Sequence, residues 1–394
     1  MNGKIKQTSS VAPEHPRQRN TRDALIGHFQ NLAQTGIGTP PETLMAQPYG
    51  ELLLYDVKHP DLINAIARAV DCRSETDRPI KPHHMSFVFV YAINYLMMFE
   101  RGLEDYPETY GLFEPKNWQQ LYHEIENDPV LFTKLQELLQ EKELITSVPQ
   151  RGNDLRFILK RVFGDTQAQP IDVVDLGSSF GMPFLSAMRD VGDEFPKFID
   201  DTEYDGQKGL INAERNTPLG VRNLFLIDHT FPFDYKKWFL SCRYPGDAIP
   251  RCVAKSKAMI DRYKWTDKVR FIERDMLNPA ITPESVNVVA AIKSGYELGE
   301  TDQARLVSTV MPGLIKGGGL MIVKDNVVIN PKTGQLEFTT ERDQYSCVTA
   351  VRGAVTGEKW MIVMEHKTGR CDQTRNGPDL DVFMKATAEL THNK

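Results

Sequence analysis

The sequence predicts an α/β protein: a helical amino-terminal part, followed by a doubly wound, mostly parallel sheet. Three observations carry this. After Pro170, short apolar runs suited to buried parallel strands alternate with helical stretches. The first of these runs enters a glycine turn directly, Asp175-Leu-Gly-Ser-Ser-Phe-Gly181. Before residue 150 the apolar residues recur instead at the spacing of helix faces.

Taken in chain order, residues 1–20 are polar, contain Pro13, Pro16, Arg17 and Arg19, and are expected to form a mobile tail. Residues 21–150 are assigned to a helical accessory or lid domain. Within it, Leu62, Ile63, Ile66 and Val70 share one side of a helix that begins after Pro60. Leu131, Phe132, Leu135, Leu138 and Leu139 do the same after Pro129. Ser86 to Glu100 reads as a buried helix, with a strand as the alternative for its Phe-Val-Phe-Val start.

Residues 151–394 form the second predicted domain. Its strands are Ile171–Leu176, Val221–Asp228, Val269–Asp275, Val286–Ile292 and Gly317–Asp325. Helices are expected over Met182–Val191, Pro250–Tyr263 and Thr301–Leu314. Such alternation implies right-handed crossovers and a sheet covered on both faces. Tyr345–Val351 and Lys359–Glu365 then read as a hairpin at the sheet edge, with Gly353 and Gly357 in the connection.

The bulk numbers exclude several functions. The chain has 394 residues, 41% hydrophobic and 25% charged, which is ordinary globular composition. Its net charge of -6 provides no general field for nucleic acid or an anionic membrane, and argues against tRNA or DNA as substrate. The apolar stretch Phe87–Met98 is too short to span a bilayer, which takes about 20 residues. The start lacks the apolar run of a secretory signal, so membrane insertion is not expected and a cytoplasmic location is. The five cysteines, Cys72, Cys242, Cys252, Cys347 and Cys371, are scattered, and reduced thiols are expected rather than a disulfide framework. No spacing of His, Cys, Asp or Glu defends a metal site, and the adjacent His83 and His84 point in different directions on a regular element.

In a doubly wound sheet, ligands collect beyond the carboxyl ends of the strands, where Asp175–Gly181 falls. Gly177 and Gly181 allow a tight turn and a close ligand approach. Ser178 and Ser179 add hydrogen-bonding groups, and Asp175 is an acceptor suited to a cationic or hydroxyl-bearing group. A third close glycine is missing, as is a following Gly-Lys-Ser/Thr, so the turn fits neither the dinucleotide fingerprint nor a P-loop. Two further acids end strands: Asp228 suits a ribose diol, and Asp275 an exocyclic amine, with Met276 or Leu277 packing against a purine.

With these elements in order, Asp172 to Glu365 resembles class I S-adenosylmethionine-dependent methyltransferases. The resemblance implies a seven-stranded sheet whose last strand inserts antiparallel, and S-adenosyl-L-methionine as cofactor. It further implies that the loop from Asp175 to Gly181 wraps the methionine portion, that Asp228 holds the ribose and that Asp275 lies beside the adenine amine. The link from Gly192 to Arg222 is longer than the family's usual one. Phe198-Ile-Asp-Asp201 is therefore an alternative second strand, which would pass the ribose role to Asp200 or Asp201. An aromatic insertion, Thr230 to Phe239, either lines a substrate pocket or packs against the helical region.

The sulfonium methyl is already activated, so catalysis consists largely of aligning the acceptor and excluding water. Should the acceptor need to lose a proton, the candidate bases are His229, Tyr296 and Glu297. The expected activity is methyl transfer to an O, N or C atom of a small-molecule acceptor, with a homodimer through the helical domain as a possible assembly. A protein methyltransferase, an NAD-dependent oxidoreductase and a noncatalytic binding module on the same fold stand as alternatives.

Overall fold

The computed structural model describes residues 16–35, 40–74, 80, 82–103, 105–112, 114–142, 152–188, 218–229, 236–242, 267–339, 347–366 and 374–392. The expected helix Pro250–Tyr263, the acids Asp200 and Asp201 and the aromatic residues 230–235 lie outside them. The chain divides into two compact units, Met1–Thr146 with Lys237–Ser256, and Ser147–Lys236 with Lys257–Lys394.

In the first unit the described regular elements are helices. The longest, α1 (Pro16–Thr35), begins inside the segment expected to be a tail, with Pro16 at a first-turn position where its missing N–H costs nothing. It is followed by α2 (Pro40–Asp56), α3 (Asp61–Arg73) and α4 (Pro82–Tyr95), the last continued by a π turn over Leu96–Glu100. Phe87–Val90 is thereby helical; a strand there would have had to break a run buried along nearly its whole length. Then come α5 (Tyr106–Thr109), α6 (Lys116–Asn127) and α7 (Pro129–Glu141). Helix α7 starts where the Asp128 carboxylate accepts from the amides of Val130 and Leu131, with Pro129 in the first turn.

The core of this unit contains Phe29, Phe89, Trp118, Leu121 and Tyr122. Its buried Asn94 is satisfied on both sides: it accepts from Tyr106 Oη at 2.5 Å and donates to the Ser241 carbonyl at 2.8 Å. Trp238, on the short helix Lys236–Ser241, is buried against Tyr91 and Tyr95. That ring of the aromatic insertion is a packing residue.

In the second unit, helix α8 (Asn153–Phe163) leads to β1 (Ile171–Leu176), α9 (Met182–Ala187), β2 (Val221–Asp228), β3 (Val269–Glu273), β4 (Val286–Ile292) and β5 (Ile315–Asp325). A small hairpin of β6 (Val327–Ile329) and β7 (Leu336–Phe338) forms a separate two-stranded sheet. The chain returns as β8 (Cys347–Gly353), β9 (Met361–His366) and β10 (Thr374–Asn376), and ends in helix Leu380–His392. The sheet order is β10-β9-β8-β5-β4-β1-β2-β3. From β3 to β5 every pairing is parallel. The remaining three strands pair antiparallel.

Against the expected seven, eight strands form this sheet among the described residues, and the strand inserted antiparallel beside β5 is β8, not the last one. Antiparallel neighbours need only short connections, so the chain keeps adding strands at that edge. The three-residue β10 covers β9 and is too short to show an alternating pattern. All six residues of β1 are buried, as expected where both faces are covered. On one face Val174, Leu176, Val289, Met321 and Val323 pack with Leu306, Met311 and Leu314. Those last three lie on a helical stretch, Glu300–Leu314, that widens to a π turn over Leu306–Val310. Cys72, Cys242 and Cys347 are not in disulfides. Among the described residues, no helix is long and apolar enough to cross a membrane.

Candidate functional site

Strand β1 is flanked by β4 on one side and β2 on the other, so its carboxyl end opens at the point where the strand order reverses. The turn that follows is fastened to β2. The amides of Gly177 and Ser178 both donate to the Ile227 carbonyl, at 2.8 and 3.0 Å, and the amide of Gly181 donates to the Ser178 carbonyl at 2.7 Å.

Both glycines are required by geometry. Gly177 has φ +68°, and a Cβ there would lie 2.4 Å from Ser294 Cβ and 2.9 Å from Met276 Cε. Gly181 has φ +62°, and its Cβ would meet the Leu226 side chain at 2.4 Å. Between them Ser179 also has a positive φ, 49°, and is held there by its amide donating to Asp228 Oδ2 at 2.7 Å.

Below this loop, at the end of β1, Asp175 is 1% exposed, and both of its carboxylate oxygens are buried without a hydrogen-bond partner among the described residues. Burial, and then the charge of Asp228, push its carboxyl well above the usual carboxylate range. An orphaned buried carboxylate is costly, about 1–3 kcal/mol, and such groups concentrate at functional sites.

The other predicted residues divide into those at the loop and those beside it. Asp228 touches the loop through Ser179, and its Oδ1 lies 3.1 Å from Nδ1 of the exposed His229. Met276 reaches Gly177 from the turn after β3. Ser178 is buried, with its hydroxyl 3.4 Å from the Ser179 carbonyl. Asp275 is exposed and shapes its own turn, its Oδ1 accepting from the Leu277 amide at 2.9 Å. Tyr296 donates its amide to Asp325 Oδ2 at 3.1 Å, while Lys293 Nζ sits 5.3 Å from the centre of its ring. Glu297 closes the short helical turn Gly295–Glu297, and its side chain lies outside the described residues.

Sequence reading did not foresee how the ends of β4 and β5 are joined. Lys293 Nζ lies 2.8 Å from Asn326 Oδ1 and 3.3 Å from the fully buried Asp325 Oδ1. Ser294 donates its hydroxyl to the Leu176 carbonyl at 2.8 Å, which seats it directly against Gly177. The available signal was that a lysine and an aspartate end neighbouring parallel strands. The resulting site is a tight, glycine-lined turn over one unpaired carboxylate, with a second acid, Asp228, bracing the turn from β2.

No family model and no curated protein sequence matches the chain. Among solved structures, YjhP from E. coli is 16% identical with a TM-score of 0.26, over 46% of this chain and 50% of that one. The [4+2]-cyclase SpnF is 15% identical with a TM-score of 0.26, over 63% of this chain and 60% of that one. Geranyl diphosphate methyltransferase, in complex with GPP and sinefungin, is 14% identical with a TM-score of 0.23, over 54% of this chain and 56% of that one. The chain spans half the length of the first of these, 50%. Several neighbours are S-adenosylmethionine-dependent methyltransferases by name, yet likenesses this slight carry no argument. The doubly wound class rests on the strand order and the loop geometry.

Proposed function

We propose that the second unit binds S-adenosyl-L-methionine at the Asp175–Gly181 turn and directs its methyl group to an O, N or C atom of a small-molecule acceptor. The supporting observation is the Asp175 carboxylate, buried with neither oxygen paired under a turn that admits no side chain at Gly177 or Gly181. A cationic ammonium group is the partner such a carboxylate lacks, and the methionine portion of this cofactor carries one.

In this assignment Asp175, Gly177, Ser178, Ser179 and Gly181 hold the methionine portion. Asp228 keeps Ser179 on one oxygen and offers the other to the ribose hydroxyls, since each carboxylate oxygen has two acceptor sites. Asp275 has one oxygen committed to Leu277 and the other for the adenine amine, with Met276 packing on the ring. The cofactor supplies a methyl group already activated on sulfur, so the chain's own task is orientation, exclusion of water and, where the acceptor needs it, removal of a proton. His229 is placed for that last step, because a proton held at Nδ1 toward Asp228 leaves Nε2 as the base. Tyr296 and Glu297 flank the end of β4 as further candidates.

Calorimetric titration of the full chain with S-adenosylmethionine, and separately with NAD, tests this assignment. Binding of S-adenosylmethionine, weakened at least about tenfold in Asp175→Ala, is the expected result. Binding of NAD alone, or unchanged S-adenosylmethionine affinity in the folded variant, would overturn it.

A further inference from the structure

A second cluster lies in the first unit, among residues the methyl-transfer assignment does not use. His123 and Glu126 occupy one face of α6, three residues apart, and His59 stands in the turn between α2 and α3. Each offers one ligand atom, and the three atoms lie within 4.8 Å of one another.

We propose that His59, His123 and Glu126 form a binding site for one divalent transition-metal cation, with zinc the ion best suited to two imidazoles and a carboxylate. Ligands around a tetrahedral zinc stand about 3.4 Å apart at bond lengths of about 2.1 Å. His59 Nδ1 and Glu126 Oε2 are 3.6 Å apart, close to that spacing.

The carboxylate carries a second, independent observation. Its Oε2 accepts from the Tyr55 hydroxyl at 2.5 Å, whereas its Oε1 is buried with no partner among the described residues. Tyr55 thus orients the group from behind, in the manner of outer-shell residues that fix metal ligands, and leaves one oxygen uncommitted. The same hydroxyl lies 3.4 Å from His123 Nδ1, and the Tyr55 ring stacks on His59 with centroids 4.6 Å apart, so one residue touches all three ligands.

The His59 side chain is 41% exposed and Glu126 11%, and His123 is exposed, so both imidazoles reach solvent. Imidazole favours zinc, copper, nickel or iron over magnesium and calcium, which prefer all-oxygen sites. Three protein ligands leave a fourth position for water, and the ion would tie α6 to the turn between α2 and α3.

The test is calorimetric titration of the full chain, stripped with chelator, with zinc chloride and in parallel with magnesium chloride, together with thermal unfolding with and without zinc. One zinc per chain is expected, with a higher Tm in its presence and no comparable response to magnesium. Glu126→Gln keeps an acceptor for Tyr55, and His123→Gln changes an exposed side chain, so both are expected to fold. Each should weaken zinc at least about tenfold. Absence of zinc binding in the parent, a Kd weaker than about 1 mM that marks adventitious histidine contacts, or undiminished affinity in both variants would overturn the proposal.

Discussion

Asp154, on α8, and Asp175, in β1, are both buried in the second unit and differ in everything around them. Asp154, on α8, is 0% exposed and saturated: Lys324 Nζ donates to Oδ1 at 2.6 Å, the Thr349 hydroxyl donates to Oδ2 at 2.5 Å, and His366 Nε2 lies 3.3 Å from Oδ2. Burial raises its carboxyl, but Lys324 and His366 outweigh burial and hold it below the usual carboxylate range. Asp175, at the end of β1, has no partner on either oxygen among the described residues, and burial and the neighbouring Asp228 both act to raise it. One carboxylate joins α8 to β5, β8 and β9 as structure; the other is the kind of orphaned buried acid that concentrates at functional sites.

The largest effect expected from breaking this contrast lies at the saturated site. Asp154→Ala leaves Lys324 as an uncompensated buried cation and should destabilise the unit by roughly 3–5 kcal/mol, read as a fall in the urea midpoint at neutral pH. Because the folded carboxyl lies below its unfolded value of about 3.9, its contribution is complete above that value. It is lost as pH falls through the lower folded value, and acid unfolding of the parent should report this.

Next in size is Gly177→Ala, which puts a Cβ 2.4 Å from Ser294 on a backbone with φ +68°. A loss of about 1–3 kcal/mol in stability is expected, with S-adenosylmethionine affinity falling in the same titrations.

Smaller and opposite in sign is Asp175→Asn. Removing a buried acid that has no partner among the described residues should stabilise the fold by about 0.5–2 kcal/mol near neutral pH while weakening the cofactor. The folded carboxyl is raised, so the folded state binds more protons than the unfolded one above about pH 3.9, and the parent loses stability as pH rises from there. Thermal melts should therefore show little difference between parent and variant near pH 4 and a growing one toward neutrality. The smallest change expected in stability is at Asp228→Asn, which retains an oxygen for the Ser179 amide. Calorimetry on Asp228→Ala and Asp201→Ala then identifies the ribose ligand as the variant with the larger loss of affinity.

What was legible in the sequence was whatever depends on neighbouring residues. Strands β1 to β5 could be placed because buried parallel strands are short apolar runs, and β4 occupies the expected residues Val286–Ile292. The loop could be read because Gly177 and Gly181 stand where the backbone must turn with positive φ. What was hidden depends on partners far along the chain. Lys324 sits in an apolar run, where it reads as a strand terminus, and only the fold brings Asp154 to it from 170 residues away. The juxtaposition of His59 with His123 and Glu126 was hidden for the same reason, since His59, in the turn before α3, and His123, on α6, lie more than 60 residues apart in sequence. Asp228 was expected to meet ribose alone, and its hold on the Ser179 amide becomes visible only once β2 lies beside β1.

The most direct measurement is the paired stability and S-adenosylmethionine affinity of the parent and Asp175→Asn at neutral pH. The account requires the variant to melt higher and to bind the cofactor at least about tenfold more weakly. A folded variant that binds S-adenosylmethionine as tightly as the parent would contradict it.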